Sequence, residues 1–162
     1  MSYYIFHVFF YQDREQGMNL RMMTVRSFQL SDYAPLTQLF KEVLSDECYE
    51  ETIEAFARQL SWDCDMVMVA TRNNEVAGAI IGTIDDNKAY YYRIAVAKPH
   101  QRKGIGRALM EGLKRRFEQR KVKQVFVTLD THNEAIVPFY QSIGFDQSNF
   151  QRSVRELSIV CG

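Results

Sequence analysis

Two glycines separated by one residue, behind a short basic run, are the positions in this sequence best suited to chemistry with an anion. They stand in Val96-Ala97-Lys98-Pro99-His100-Gln101-Arg102-Lys103-Gly104-Ile105-Gly106, where an apolar strand passes through a short loop into a helix. Gly104 and Gly106 let the main chain approach a ligand without a Cβ in the way. The first turn of the helix adds N–H groups that have no intrahelical partner, at the positive end of the dipole. Such a bend is an anion site, and Arg102, Lys103 and Arg107 add charge around it. Leu109 stands where a dinucleotide fingerprint has its third glycine, and there is no Gly-Lys-Ser/Thr of a P-loop. Hydride transfer and nucleotide hydrolysis therefore lose ground.

The elements that must hold this bend are legible in the pattern of apolar residues. Thr24 to Phe28 reads as a strand, and Ser31-Asp32 as the N-cap of a helix whose face is Leu36, Leu39, Phe40, Val43 and Leu44. Glu50 to Leu60 predicts a second helix packed through Ile53, Phe56, Ala57 and Leu60, with Ser45 to Tyr49 as the link. Asp65 to Thr71 and Val76 to Ile84 are apolar runs joined across Arg72-Asn73-Asn74-Glu75, a hairpin signature. Asp85-Asp86-Asn87 turns the chain into a strand from Lys88 to Ala97. Gly104 to Arg120 is an amphipathic helix with Ile105, Ala108, Leu109, Leu113 and Phe117 on one face. Gln124 to Leu129 is a strand, Asn133 to Ile143 a short helix ended by Gly144, and Ser153 to Val160 a last strand. Met66, Met68 and Trp62 are expected in the core. The sum is a mixed α/β domain: a mostly antiparallel sheet of about six or seven strands covered by about four helices.

Composition sets the remaining bounds. A length of 162 residues suits one domain. With 46% hydrophobic and 25% charged residues, the chain can bury a core and is not disordered throughout. Lys plus Arg total 20, as do Asp plus Glu, so no net field recruits nucleic acid or an anionic membrane. Charge is nevertheless segregated: residues 98–123 carry ten basic and two acidic side chains, and residues 42–65 carry eight acidic ones and a single Arg. The first region favours an anion and the second a cation. Cys48, Cys64 and Cys161 form no Cys-x-x-Cys pair, which argues against a disulfide framework or a zinc site and for a reducing cytoplasm. The apolar run from Tyr3 to Tyr11 is broken by His7 and falls short of the ~20 residues that span a bilayer. Residues 1–21 are taken as an extension, an extra strand or a stretch ahead of the true start, and residues 22–162 as the functional domain.

A second cluster, Asn133-Glu134-Ala135-Ile136-Val137-Pro138-Phe139-Tyr140-Gln141-Ser142-Ile143-Gly144-Phe145, gives the glycine bend its context. The order strand, Gln-x-x-Gly-x-Gly, helix, strand, Asn-x6-Tyr-x3-Gly-Phe resembles the GNAT superfamily of acyl-CoA-dependent N-acetyltransferases, over roughly Thr24 to Val160. The resemblance implies a GNAT-like fold and direct transfer of an acetyl group from acetyl-CoA to a primary amine in a ternary complex, with no metal. It implies that main-chain N–H groups from Gln101 through Arg102, Lys103, Gly104 and Ile105 to Gly106 hold the pyrophosphate. Ile94, Ala95 and Val96 would offer backbone groups to the pantetheine. Asn133 would contact the cofactor, and Tyr140 would set its hydroxyl beside the thioester sulfur as the acid.

An ammonium of pKa ~10.4 must lose a proton before it can attack, and a thiolate leaving group benefits from gaining one. Tyr140 suits the second task. Many relatives carry a Glu on the strand before the glycine loop, where Tyr92 stands here, so the base stays open among Asp130, His132 and an acid from Asp46-Glu47, or solvent itself. One of Tyr90, Tyr91 and Tyr92 is expected to line an acceptor cleft. The acidic segment Asp46 to Glu51 points to a cationic acceptor, whether a small amine, a polyamine or a protein or peptide amino group. The expected protein is cytoplasmic, a monomer or homodimer, with neither nucleic acid nor membrane as partner. The alternative is an acyl-CoA-binding sensor or assembly subunit that keeps the fold without turnover.

Overall fold

The computed structural model describes residues 23–152. The expected extension 1–21 and the last strand 153–160 lie outside the described residues. A six-stranded sheet runs in the order β1 (Met23–Ser27), β2 (Val67–Arg72), β3 (Glu75–Asp85), β4 (Lys88–Val96), β5 (Gln124–Leu129) and β6 (Phe150–Arg152). The first four strands are antiparallel, and β5 and β6 each join their neighbour in parallel. The helices are α1 (Tyr33–Val43), α2 (Asp46–Asp63), α3 (Ile105–Gln119) and α4 (Val137–Ser142). This is the mixed, mainly antiparallel architecture that the sequence predicts.

Alternation along the strands divides the core between two faces. Met68, Ala70, Ile80 and Tyr91 pack with Ile105, Leu109, Leu113 and Phe117 of α3 and with Tyr140 of α4. Val67, Val69, Ala79, Ile81 and Tyr92 pack on the opposite face with Leu36 and Phe40 of α1 and Phe56 of α2. Each of these large apolar side chains contributes about 1.5–3 kcal/mol by leaving water. Asn73 and Asn74 have φ of 52° and 65°, the left-handed pair that closes the expected two-residue hairpin between β2 and β3.

Several local expectations are corrected. Asp32 does not cap α1 with its side chain; its carboxylate instead receives Arg26 Nη1 and Nη2 at 2.6 and 2.8 Å and the Gln29 N–H at 2.8 Å. Burial alone would raise this carboxyl, but Arg26 and the amide hold it below the usual range. Ser45 to Tyr49 is not a link, because Ser45 caps a helix that already begins at Asp46. The buried face of α2 is Cys48, Thr52, Ala55, Phe56 and Gln59, and Ala57 is exposed. Trp62 is 51% exposed rather than core. The segment after Asn133 starts as a 3-10 turn, Glu134–Ile136, and becomes α-helical only from Val137, one residue before Pro138.

Candidate functional site

Strands β4 and β5 lie side by side only from Lys88–Tyr91 to Gln124–Val127 and then part. Beyond the fork, Leu129 and Thr128 pair with β6, while β4 keeps β3 as its neighbour. A bulge opens the fork: Ile81 faces Arg93 and Gly82 faces Tyr91, so Tyr92 is the extra residue. Among the described residues, the edge of β4 from Tyr92 to Val96 that faces away from β3 has no strand partner. It holds Ile94, Ala95 and Val96, and the main-chain groups there that point away from β3, apart from the Val96 carbonyl, are open to an extended ligand.

At the end of this edge the chain turns through Lys98–His100 and reaches α3 at Ile105. Gly104 has φ of +80°, a left-handed conformation that disfavours any side chain, and nothing lies within 4 Å of where its Cβ would be. The first bond back along α3 runs from Ala108 N–H to Gly104 O, which leaves the Ile105, Gly106 and Arg107 N–H groups outside the helical ladder. A Cβ on Gly106 would touch the Phe139 ring at 3.4 Å, so this glycine also lets α3 sit close to α4. Gln101 Nε2 donates to Val96 O at 3.0 Å and Lys103 Nζ to Pro99 O at 2.8 Å, bracing the bend against the strand it leaves. Gln101, Arg102, Lys103 and Arg107 are exposed around it. The bend combines free donors, open space and positive charge, a set that fits a diphosphate.

Inside the fork is a cavity of about 210 Å³ whose walls include Tyr92, Arg93, Ile94, His132, Asn133 and Tyr140. Tyr140 is buried, its ring fixed against Tyr91, Phe139 and Phe145 at centroid distances of 5.8, 5.1 and 5.5 Å. The Gly-Phe that follows has a structural reason: Gly144, at φ +103°, ends α4 and turns Phe145 back so that its N–H meets Tyr140 O at 3.1 Å. Burial pushes the Tyr140 phenol above its ordinary value, so at neutral pH it carries a proton to give. Asn133 lines the cavity, yet its amide braces its own loop, accepting from Asp130 N–H and donating to Thr128 O, both at 2.8 Å.

The far wall joins residues that sequence spacing did not connect. Arg93, buried within β4, gives Nη2 to Asp130 Oδ2 at 2.8 Å, bridging the two arms of the fork. Its Nε has no partner among the described residues, and its guanidinium lies 5.0 Å from the centre of the Tyr92 ring. Desolvation lowers the affinity of Arg93 for its proton, but Tyr92 and Asp130 outweigh it and the net displacement is upward. The other Asp130 oxygen accepts the His132 N–H at 2.8 Å, and His132 Nε2 stands 3.5 Å from Glu51 Oε2 of α2. Asp46 and Glu47, offered as possible bases, are exposed at the start of α2 and do not line the cavity. Of the three consecutive tyrosines, Tyr92 is the one that faces it. Arg93 escaped the sequence reading, and Glu51 entered it only as the end of an acidic segment; the available signal was a lone Arg inside the apolar run Tyr-Tyr-Tyr-Arg-Ile-Ala-Val, which demands a buried counter-charge.

Comparison with known proteins shows the family and the fold. The family model for a GNAT acetyltransferase domain matches residues 24–160. A ribosomal protein bS18-alanine N-acetyltransferase of Escherichia coli is 32% identical over 83 residues, 51% of this chain and 56% of that protein. The chain thus spans little more than half the length of such curated relatives. A crystal structure of the Escherichia coli ribosomal-protein-S18-alanine N-acetyltransferase superposes with a TM-score of 0.60 at 26% identity, covering 77% of this chain and 78% of that one. The PaiA N-acetyltransferase of Thermoplasma acidophilum, in complex with coenzyme A, has the same fold, with a TM-score of 0.62 at 18% identity over 76% of this chain and 89% of that one.

Proposed function

Because the chain belongs to the GNAT acetyltransferase family, we propose that it is an N-acetyltransferase moving an acetyl group from acetyl-CoA to a primary amine. The observation that carries this reading is the succession of three features along and after β4: the cavity lined by Tyr92 to Ile94 and Tyr140, the edge of β4 unpaired among the described residues, and the donor-rich bend at 101–107. Gln101 to Arg107 bind the diphosphate, Ile94 to Val96 hold the pantetheine by main-chain pairing, and the thioester carbon is thereby aimed into the fork. Acetyl-CoA supplies the electrophile. Tyr140 donates its phenolic proton to the departing sulfur, for which its burial keeps it protonated. Arg93 and Asp130 hold the fork open at a fixed width.

The acceptor enters from the α1–α2 side. Glu51 of α2 stands 3.5 Å from His132 of the cavity wall, and Asp46, Glu47 and Glu50 precede it on the same helix, which favours a cationic amine. A polyamine and the amino terminus of a protein or peptide are the leading classes; the relatives named for ribosomal-protein alanine support the second. A second reading, an acyl-CoA-binding sensor, rests on Tyr92 standing where many relatives carry a carboxylate.

Release of free thiol from acetyl-CoA across an amine panel, with product masses, tests both. Acetylated product establishes the enzyme. Saturable CoA binding with no turnover on small amines, polyamines or peptides favours the sensor, and absence of CoA binding refutes both.

A further inference from the structure

We propose that His132, supported by Glu51, is the general base that takes the proton from the acceptor amine; this rests on the acetyl-transfer reading above. The argument is one of position and elimination within the fork. Of the titratable side chains lining the cavity, Tyr140 is committed to the sulfur and Arg93 is a permanent cation. Burial pushes the Tyr92 phenol upward, against ionisation. Asp130 has both oxygens engaged, one by Arg93 and one by the His132 main chain. His132 remains, and histidine is the side chain whose ordinary titration falls between pH 5 and 8.

Its surroundings suit the role. The main chain of His132 is clamped by Asp130, and Asp130 is in turn fixed by Arg93 and Asn133. Its side chain is 17% exposed, so it touches both the cavity and solvent. The titratable and charged groups around it are Glu51 from α2, Tyr92 and Arg93 from β4, Asp130 from its own loop and Tyr140 from α4, with Cys48 of α2 next to Glu51, Arg93 and Asp130. Glu51 is the carboxylate beside the ring, 3.5 Å from Nε2, and in this proposal Nδ1 takes the accepting role.

The proton balance closes. Nδ1 takes one proton from the ammonium, directly or across one water. The freed nitrogen lone pair forms the C–N bond as the C–S bond breaks, and sulfur takes the Tyr140 proton. The second proton of the amine restores the Tyr140 phenol through the cavity. His132 then releases its proton to solvent, where it is the single proton that the reaction sets free.

Thiol release from acetyl-CoA is measured against pH for wild type, His132→Gln, His132→Ala and Glu51→Gln. The acceptor is spermidine or an Ala-Gly-Gly peptide, whichever the wild type uses. CoA affinity is titrated in parallel. The expected result for His132→Gln is a kcat lower by about 10²-fold, a flattened low-pH limb of kcat/KM, and CoA affinity unchanged. Added imidazole restores activity to His132→Ala, and Glu51→Gln loses about threefold or more in kcat, the size of a modest perturbation of the base. Wild-type rate and pH profile in His132→Gln overturn the proposal. So does a slow His132→Gln that keeps the wild-type profile while His132→Ala ignores imidazole, since that is a structural role. If both histidine variants fail to fold, Glu51→Gln decides, and an unaltered rate and profile in it refutes the assignment. A wild type that binds CoA but acetylates neither these probes nor any member of the amine panel sinks the acetyl-transfer reading and the base with it.

Discussion

The two halves of the fork are built from different materials. The half around Gly104 works through the main chain: donors at a bend, one left-handed glycine, and a strand edge without a neighbour among the described residues. The half around His132 works through side chains from four places, with Arg93 on β4, Asp130 and His132 after β5, Glu51 on α2 and Tyr140 on α4. A main-chain site tolerates almost any side chain but the one that would obstruct it, so it holds a shared cosubstrate. A side-chain site changes with each substitution, which suits the task of choosing an acceptor.

The sharpest way to break this division is Asp130→Ala. It strands a buried guanidinium, and the expected loss is about 3 kcal/mol of folding stability, read from the urea midpoint. A midpoint unchanged from wild type would mean that the pair does not hold the fork. Tyr140→Phe should lower turnover by about 10²-fold with CoA affinity nearly unchanged; unaltered turnover removes this phenol from the chemistry. Gly104→Val forces a β-branched residue into positive φ at a cost of about 1–2 kcal/mol. Its branched Cβ also occupies the open space through which the diphosphate approaches, so CoA binding should weaken by roughly tenfold, and a folded variant with normal affinity would refute the main-chain cradle.

The burial of Tyr140 also makes a prediction about pH. Its phenol is raised in the folded state, while the unfolded chain ionises near ~10. Below that pH the group contributes no difference, and above it the unfolded state binds fewer protons, so stability falls as pH rises. From pH 10 to 11 wild type should lose about 1 kcal/mol more than Tyr140→Phe; equal losses would contradict the burial of this hydroxyl. The smallest effect belongs to Glu51→Gln, whose half-exposed pair with His132 should change stability by less than about 0.5 kcal/mol. A larger drop in melting temperature would make Glu51 a structural residue rather than part of the acceptor side.

The difference between the halves also explains what could be read in advance. Gly104 and Gly106 are close neighbours along the chain, as are Tyr140, Gly144 and Phe145, and each group serves local demands: a positive φ, a close helix approach, a helix end that folds back. Local demands leave their mark on residue type and spacing. Glu51 and His132 are 81 positions apart, and the acidic run that contains Glu51 gives no sign of which carboxylate turns inward. Trp62 misled for a related reason, since an aromatic near a helix end says nothing about whether another element covers it. Arg93 was the clue left unused.

The sequence alone determined the alternation of strands and helices, the hairpin at Asn73-Asn74, the glycine bend and the phenol in the last described helix, because each depends on neighbours within a turn or two. Only the tertiary structure decided that β4 bulges at Tyr92, that β4 and β5 diverge, and that Arg93, Asp130, His132 and Glu51 meet in the opening. Those contacts join segments far apart in the chain, and their positions follow from how the sheet twists and how the helices settle on it, which no short window of residues encodes.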